Sequence, residues 1–254
     1  MSELETRKPQ WWKSKDVKIT GALWVVLSGL IAYIGGEVNS RPMGAPASET
    51  MANTIHIMKL FTWVSAPVAG LVAAIAIKAL MQKLHFGDNP PAEADHQISE
   101  SPKATALWVI VSAVLCLFAL VFGMVVLQKD NNALLDANAT NIKVTGQQWV
   151  WNFDYVDNGN FQSEDLYLQV NKPVHFHVSS LDVIHSFWIV QMGIKVDANP
   201  GYVTDAAVVP NKIGVYDLRC AELCGLLHAY MQKKVHVVSQ ADYNSWITSH
   251  GGKI

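Results

Sequence analysis

The stretch Cys220-Ala-Glu-Leu-Cys224-Gly-Leu-Leu-His228-Ala-Tyr-Met231 places two thiols, an imidazole and a thioether within twelve residues. A further imidazole, His185, lies 35 positions before Cys220. Soft sulfur ligands combined with imidazole are typical of copper and zinc, whereas magnesium and calcium take oxygen ligands. This stretch therefore predicts a transition-metal site on a single loop, and the loop in turn needs a rigid scaffold to hold it.

Three kinds of site are compatible with these residues. Cys220 and Cys224 could bridge the same two metal ions, which with one histidine on each ion would form a dicopper centre. A structural zinc site also takes four nitrogen or sulfur ligands, although its usual pairing of C-x2-4-C with H-x3-5-H is not the pattern here. A Cys220–Cys224 disulfide is the third alternative, because the loop is predicted to lie outside the cytoplasm. A disulfide would leave His228 and Met231 unexplained.

The sequence around the loop predicts a β-sandwich or barrel. Beyond Gln128, continuous apolar runs give way to short alternating stretches separated by Gly, Asn and Pro turns. One predicted strand ends just before the loop and another begins just after it, so the ligands should sit at one end of the sheet structure. Ser239-Gln-Ala-Asp242 predicts the start of a short terminal helix. The predicted strands cover residues 141–155, 166–170, 174–178, 205–209, 214–219 and 233–238.

The first half of the chain predicts a membrane anchor. Half of all residues are hydrophobic and only 16% are charged, and the apolar excess is concentrated before residue 128. Residues 17–36, 60–81 and 106–127 are each apolar over about 20 residues, the length that a helix needs to cross a bilayer. We therefore predict transmembrane helices in residues 1–128 and a soluble all-β domain in residues 129–254.

Basic residues indicate the orientation in the membrane. Those near the N-terminus and around the loop between the second and third predicted spans favour the cytoplasmic side for both segments. The C-terminal domain should then emerge on the outer face of the membrane. The formal net charge of −2 argues against a nucleic-acid partner. The basic residues concerned are Arg7, Lys8, Lys13, Lys15, Lys18, Lys78, Lys83 and Lys103.

Three motifs resemble, in order, those of the subunit II family of cytochrome c oxidases, the haem–copper terminal oxidases. The resemblance is specific over roughly residues 143–238 and covers the last predicted span more loosely. It implies a cupredoxin-like β-sandwich with a dinuclear copper A centre, and so favours copper over zinc or a disulfide. The motifs are Gly146-Gln-Gln-Trp149-Val-Trp151, then Asp182-Val-Ile-His185-Ser with Gly193-Ile-Lys-Val-Asp197, then the cysteine loop.

The resemblance also implies roles for individual residues. The carboxylate of Glu222 would join a magnesium site at the interface with the haem-containing catalytic subunit, a role that suits a hard oxygen ligand. Trp149 would be an exposed indole at which electrons enter from the donor. The implied ligands of the two copper ions are His185, Cys220, Cys224, His228, Met231 and the backbone carbonyl of Glu222.

An acidic surface for a basic cytochrome c is implied as well, with contributions from Asp154, Asp157 and Asp182. From Lys129 onward the chain has nine basic and twelve acidic residues, a net charge of −3 that permits such steering. His175 and His177 share one face of a predicted strand, an arrangement that metal sites also use. They lie outside the family's ligand motifs, and we interpret them as surface or packing residues.

The function implied is an electron-transfer subunit that receives electrons from cytochrome c and passes them to haem in the catalytic subunit for oxygen reduction. Nothing in the chain suggests acid–base or nucleophilic catalysis of its own. A glutamate expected near Thr105 is missing, Glu100 being the nearest acid, and this keeps an alternative open, the copper A subunit of a haem–copper nitric oxide reductase. A separate departure is that three spans are predicted where typical subunits II have two. A zinc-stabilised membrane binding module without redox activity is the remaining alternative.

Overall fold

The computed structural model describes residues 15–38, 41–81, 101–134 and 136–254. Within them, three helices are long and apolar enough to cross a bilayer. The second begins eleven residues before the predicted position 60, because its first turns are polar and do not register as part of an apolar run. Arg7, Lys8, Lys13, Lys83 and Glu100 lie outside the described residues. The helices are α1 (Lys15–Tyr33), continued by a π-helical turn (Ile34–Val38), α2 (Glu49–Met81) and α3 (Pro102–Leu134).

One of two compact units contains α1 and most of α2. The indole Nε1 of Trp24 donates a hydrogen bond of 2.7 Å to the carbonyl of Pro67. A Cβ at Gly70 would collide with Ser28, so this glycine lets the backbones of the two helices approach closely. Contact through small residues and a hydrogen bond is the usual way in which apolar helices associate in a membrane.

The second compact unit contains α3 and the whole β-domain. The chain described from residue 136 onward folds into two five-stranded sheets, with strand orders β3-β2-β1-β5-β8 and β4-β10-β9-β6-β7. The fold is therefore apolar helices followed by an all-β sandwich, as predicted. The strands are β1 (Thr140–Gln147), β2 (Val150–Tyr155), β3 (Phe161–Ser163), β4 (Leu166–Gln169), β5 (Val174–Ser180), β6 (His185–Ile189), β7 (Ile194–Ala198), β8 (Thr204–Val208), β9 (Gly214–Cys220) and β10 (Gln232–Val238).

The core lies between the two sheets and is rich in aromatic side chains. Phe187 packs edge-on against Trp151, with ring centroids 5.6 Å apart, and lies 5.2 Å from Phe176. All three side chains are fully buried, and each comes from a different strand. Such rings contribute both buried apolar area and directional contacts. These contacts pack β2, β5 and β6 against one another across the core.

Several predicted elements differ from the observed ones. Residues 141–155 form a hairpin of β1 and β2 rather than one strand, with Gln148 and Trp149 at the turn. Strands β3, β6 and β7 were not predicted. The terminal helix is confirmed as α4 (Gln240–Ser249), and the hydroxyl of Ser239 caps it by accepting the backbone N–H of Asp242 at 3.2 Å.

The segment just before α2 belongs to the β-domain unit. Ala47 and Ser48 are buried. The hydroxyl of Ser48 donates to the carbonyl of Met192 at 2.7 Å, and the N–H of Asn211 donates to the carbonyl of Ala47 at 2.9 Å. Buried backbone groups need such partners, so these bonds fasten the segment to the domain.

Candidate metal centre

The cysteine loop is closed at its base by the sheet. Strand β9 ends at Cys220, and β10 begins one residue after Met231. The backbone N–H of Cys220 donates to the carbonyl of Met231 at 3.0 Å, which completes the ladder between these two strands. On its other side β9 pairs with β6, where Phe187 lies opposite Cys220. This pairing brings His185, the first residue of β6, to the base of the loop.

Each cysteine has its own imidazole partner. The two sulfur atoms of Cys220 and Cys224 are 3.7 Å apart. Nδ1 of His185 lies 3.8 Å from the sulfur of Cys220, and Nδ1 of His228 lies 3.5 Å from the sulfur of Cys224. His185 and both cysteines are buried. The arrangement is thus a central pair of sulfurs flanked by two nitrogens.

Two weaker donors complete the set. The thioether sulfur of Met231 lies 3.8 Å from the sulfur of Cys224 and is buried. The backbone carbonyl of Glu222 lies 3.2 Å from the sulfur of Cys220, while the side chain of Glu222 is exposed. Of the six donors implied by the resemblance, each therefore lies within 4 Å of at least one of the two cysteine sulfurs.

The donor geometry tests the alternatives. Both cysteines are free thiols, and their sulfur separation is well beyond the roughly 2.05 Å of a disulfide. His185, Cys220 and Cys224 have donor atoms that all lie within 4.8 Å of one another, but His228 is outside this group. A single tetrahedral zinc ion needs all four ligands around one point. The cluster can hold a transition metal, and soft sulfur with imidazole suits copper.

The Cys224 thiol is protonated in the metal-free protein. Burial, together with the adjacent Cys220 thiol, raises the pKa of the Cys224 thiol to about 11. Thiolate is the form that binds a metal, so loading of the site must release protons.

Asp182 orients the buried imidazole. One of its carboxylate oxygens lies 2.9 Å from Nε2 of His185, and the other accepts the backbone N–H of Gln148 at 2.7 Å. Burial acts to raise the pKa of Asp182, but the hydrogen bonds from Gln148, His185 and Val183 outweigh it and lower this pKa to about 2. The ionised carboxylate holds the proton on Nε2 of His185 and leaves Nδ1 facing Cys220, an arrangement common among metal-ligating histidines.

Gly146 is required by the close packing around His185. A Cβ built at Gly146 would lie 3.1 Å from Cδ2 of His185 and 3.1 Å from Cζ3 of Trp151. The rings of Trp151 and His185 are edge-to-face with centroids 5.9 Å apart. Sequence reasoning assigned no role to Gly146 or Trp151, although both stand in a quoted motif.

Trp149 lies over the cysteine loop. It is half-buried rather than fully exposed, and its indole Nε1 is buried without a hydrogen-bond partner among the described residues. The amide of the preceding Gln148 donates to the carbonyl of Cys224 at 2.8 Å. A Cβ at Gly225, which has φ +118°, would come within 3.4 Å of the indole. Trp149 is therefore in close contact with the loop that carries the ligands.

Of the three predicted docking acids, only Asp182 lies beside Trp149, through its hydrogen bond with the N–H of Gln148. Asp182 is engaged with His185, as described. Asp154 lies five residues along β2 from Trp149, about 17 Å at 3.4 Å per residue, and Lys143 is opposite it. Asp157 accepts the backbone N–H of Asn141 at 2.7 Å, beyond the far end of the same hairpin. The hairpin thus separates Asp154 and Asp157 from the indole.

Comparison with known proteins identifies relatives of this chain. Residues 161–238 match the family described as "Cytochrome C oxidase subunit II, periplasmic domain". The chain is 31% identical over 241 residues to cytochrome c oxidase subunit 2 of Alkalihalophilus pseudofirmus, covering 92% of this chain and 70% of that protein. It is 27% identical over 253 residues to a probable cytochrome c oxidase subunit 2 of Rickettsia bellii, covering 89% of this chain and 91% of that protein.

Among solved structures, the periplasmic domain of subunit II of cytochrome oxidase of Bradyrhizobium japonicum is similar. Its TM-score is 0.44 at 31% sequence identity, and the match covers 46% of this chain and 96% of that chain. The sequence relationship extends over both the helices and the β-domain. The chain therefore belongs to the cytochrome c oxidase subunit 2 family, whose members are components of an oxidoreductase complex.

Proposed function

We propose that this chain takes electrons from cytochrome c, or a similar small donor, and delivers them to haem in a catalytic partner subunit for oxygen reduction. In this proposal α1 to α3 cross the bacterial plasma membrane and the β-domain lies on its outer face. The observation that supports it best is the pair of sulfurs 3.7 Å apart, each with its own imidazole. Family membership supports the same role.

The proposed cofactor is a dinuclear copper centre held by His185, Cys220, Cys224, His228, Met231 and the carbonyl of Glu222. Thiolate-bridged copper ions would supply an electron-transfer centre that shares one unpaired electron and changes its bond lengths little on reduction. The protein's contribution is rigidity and exclusion of water. His185 and Met231 are buried, Asp182 fixes the imidazole, and the sheet closes the loop. Such support of the ligands is what a precise metal site requires.

The outer side of the cysteine loop is a suitable docking surface for the catalytic subunit. Leu223, Leu226 and Tyr230 are 79%, 88% and 78% exposed. A cluster of large apolar side chains at the surface marks an interaction site. The exposed Glu222 lies in the same loop, which supports the proposal that its carboxylate joins a magnesium site at that interface.

Trp149 is the proposed point at which electrons enter. Its position over Gly225 and the hydrogen bond from Gln148 to Cys224 connect this half-buried aromatic ring to the ligand loop. Trp149→Phe should slow oxidation of a reduced donor in stopped-flow measurements while leaving the copper spectrum unchanged. Trp188→Phe, a half-buried tryptophan on β6, is the matched control and should leave the rate unchanged.

Metal analysis and electron paramagnetic resonance of the detergent-purified full-length chain test the copper proposal. We expect two copper ions per chain and a multi-line signal from one electron shared between them. Cys224→Ser should abolish that signal, whereas Cys116→Ser on α3 should leave it intact. Stoichiometric zinc with no copper signal, or an unchanged signal in Cys224→Ser, would refute the proposal.

The second candidate is the same relay in a haem–copper nitric oxide reductase. Within the described part of the chain, the first turn of α3 carries no acidic residue, so the proton-collecting glutamate expected near Thr105 is missing there. Purified complex supplied with reduced donor should consume oxygen if the first proposal holds. Consumption of nitric oxide without oxygen consumption would favour the second.

A further inference from the structure

A second cluster of metal-binding side chains lies on the opposite sheet from the cysteine loop. His175 and His177 project from the outer face of β5, and Asp205 lies directly opposite His177 on β8. Nδ1 of His177 is 2.7 Å from Oδ1 of Asp205, and Nε2 of His175 is 3.2 Å from the same oxygen. The three donor atoms all lie within 4.8 Å of one another.

The neighbouring strand determines which nitrogen of His177 carries a proton. The carboxylate of Asp157 can only accept, so the amide nitrogen of Asn141 must donate to it, and these atoms are 3.0 Å apart. The amide oxygen of Asn141 then faces Nε2 of His177 at 3.2 Å and accepts its N–H. In a neutral imidazole the other nitrogen, Nδ1, is left with a lone pair.

That lone pair points at a carboxylate oxygen. Two acceptors 2.7 Å apart repel each other unless a cation lies between them or near both. His175 increases this need, because its Nε2 is buried, has no hydrogen-bond partner among the described residues, and approaches the same oxygen of Asp205. Either a proton on the imidazoles or a metal ion can satisfy this arrangement.

We propose that His175, His177 and Asp205 bind one divalent transition-metal ion of the zinc class. This site goes beyond the proposed electron transfer and shares no residue with the cysteine loop. Two imidazoles and a carboxylate suit Zn²⁺, Cu²⁺ or Ni²⁺, whereas Cu⁺ prefers sulfur and Mg²⁺ prefers oxygen. Three protein ligands leave the fourth tetrahedral position open to water or an external ligand.

Two of the three donor separations require little movement on binding, and the third, between the two imidazole nitrogens, is within 4.8 Å and closes by at most about 1.5 Å. Ligand atoms on a tetrahedral zinc ion with bonds of about 2.0 Å are about 3.3 Å apart. The His175–Asp205 distance of 3.2 Å already matches, and the His177–Asp205 distance of 2.7 Å has to open by about half an ångström. Asp205 is 50% exposed and can move that far. Asn141 accepts the N–H of His177 and is itself held by Asp157. Hydrogen bonds of this kind fix the orientation of histidines that bind metals.

The experiment uses the full-length chain in detergent, with Cys220→Ser and Cys224→Ser removing both thiols of the other site. Failure of the copper proposal then leaves this test unaffected. Zn²⁺ binding is measured by equilibrium dialysis, and Co²⁺ serves as a spectroscopic probe. We expect one equivalent of either ion, with visible cobalt bands and no thiolate charge-transfer band. His177→Gln should weaken binding at least tenfold, and Asn141→Ala should weaken it about tenfold.

Matched controls separate the cluster from general surface binding. His236→Gln replaces a histidine on β10, and Asp197→Asn replaces an exposed carboxylate on β7. Both residues lie on the other sheet, so both variants should bind metal as strongly as the unsubstituted cluster does. Urea unfolding without metal checks that every variant is folded. The proposal would be overturned if the chain carrying only Cys220→Ser and Cys224→Ser bound no metal, or if His177→Gln and His236→Gln bound metal equally well. An ion pair between protonated imidazole and Asp205 would then explain the cluster.

Discussion

Gly146→Ala tests the packing that positions buried His185, a ligand in the proposed copper centre. The added methyl group would lie 3.1 Å from both the His185 ring and the Trp151 ring, so one of them must move by a few tenths of an ångström. Trp151 is fully buried in the core, and Asp182 holds His185 from the other side. Overpacking of this kind costs about 1–3 kcal/mol. Replacing glycine by alanine also restricts the unfolded chain, which offsets about 0.4–1 kcal/mol.

The net loss of stability is then about 1 kcal/mol, or a fall in melting temperature of about 4 °C for a domain of this size. Gly214→Ala is the matched control, because its Cβ would meet Tyr216 at the same 3.1 Å, at the end of β9 away from Cys220. Both variants should lose similar stability by calorimetry. Only Gly146→Ala should weaken copper binding, by about tenfold, since only it displaces a ligand.

Copper affinity is measured by competition with a chelator, and the state of the centre by its paramagnetic spectrum, both on the full-length chain. If Gly146→Ala has the same affinity and spectrum as the parent protein, His185 is not held as the structure indicates. If Gly214→Ala weakens copper binding as much as Gly146→Ala does, the weaker binding results from a general loss of stability, and the explanation by packing around His185 is wrong.

Three further predictions concern the β-domain. Asp182→Asn should weaken copper binding about 10–100-fold with little change in fold, because the carboxylate that orients His185 is lost; an unchanged affinity in the chelator competition would contradict this. Removing copper should lower the melting temperature, since a ligand bound at 1,000 times its dissociation constant stabilises the native state by about 4 kcal/mol; identical melting curves for the loaded and metal-free protein would contradict it. The ammonium of Lys234, 2.6 Å from Asp217, holds the pKa of that carboxyl below its usual value. A lowered native pKa stabilises the fold above the unfolded-state pKa of about 3.9, and this contribution is lost as pH falls through the native pKa. Asp217→Asn should therefore be less stable than the parent at pH 7 by urea denaturation, with the difference shrinking below about pH 4.

The candidate donors could be named from the sequence because the distinctive side chains of Cys220, Cys224, His228 and Met231 stand in one short stretch. The strand that carries His185 was not predicted. Residues 185–189 are almost all buried, so they lack the alternation of polar and apolar residues that signals a half-buried strand. The turn at Gln148 and Trp149 was missed because it contains none of the Gly, Pro, Asn or Asp residues that mark most turns.

Roles that depend on distant contacts could not be read from the chain. Asp182 appeared as a surface acid suited to donor docking, and only the fold shows its contact with His185 and Gln148. The alternation of His175 and His177 did indicate a shared face. Their third partner, Asp205, comes 28 residues after His177 on another strand, and no spacing rule connects them.

The closure of the cysteine loop by a single strand ladder has a consequence for protein engineering. A backbone hydrogen bond joins Cys220 and Met231 where the loop leaves the sheet. The residues between them could therefore be exchanged for a segment of another length while the sandwich stays intact. His185 and Asp182 would remain in place, since they belong to the scaffold. A new loop would therefore find the imidazole of His185 already oriented, and its own sequence would have to supply only the other metal donors.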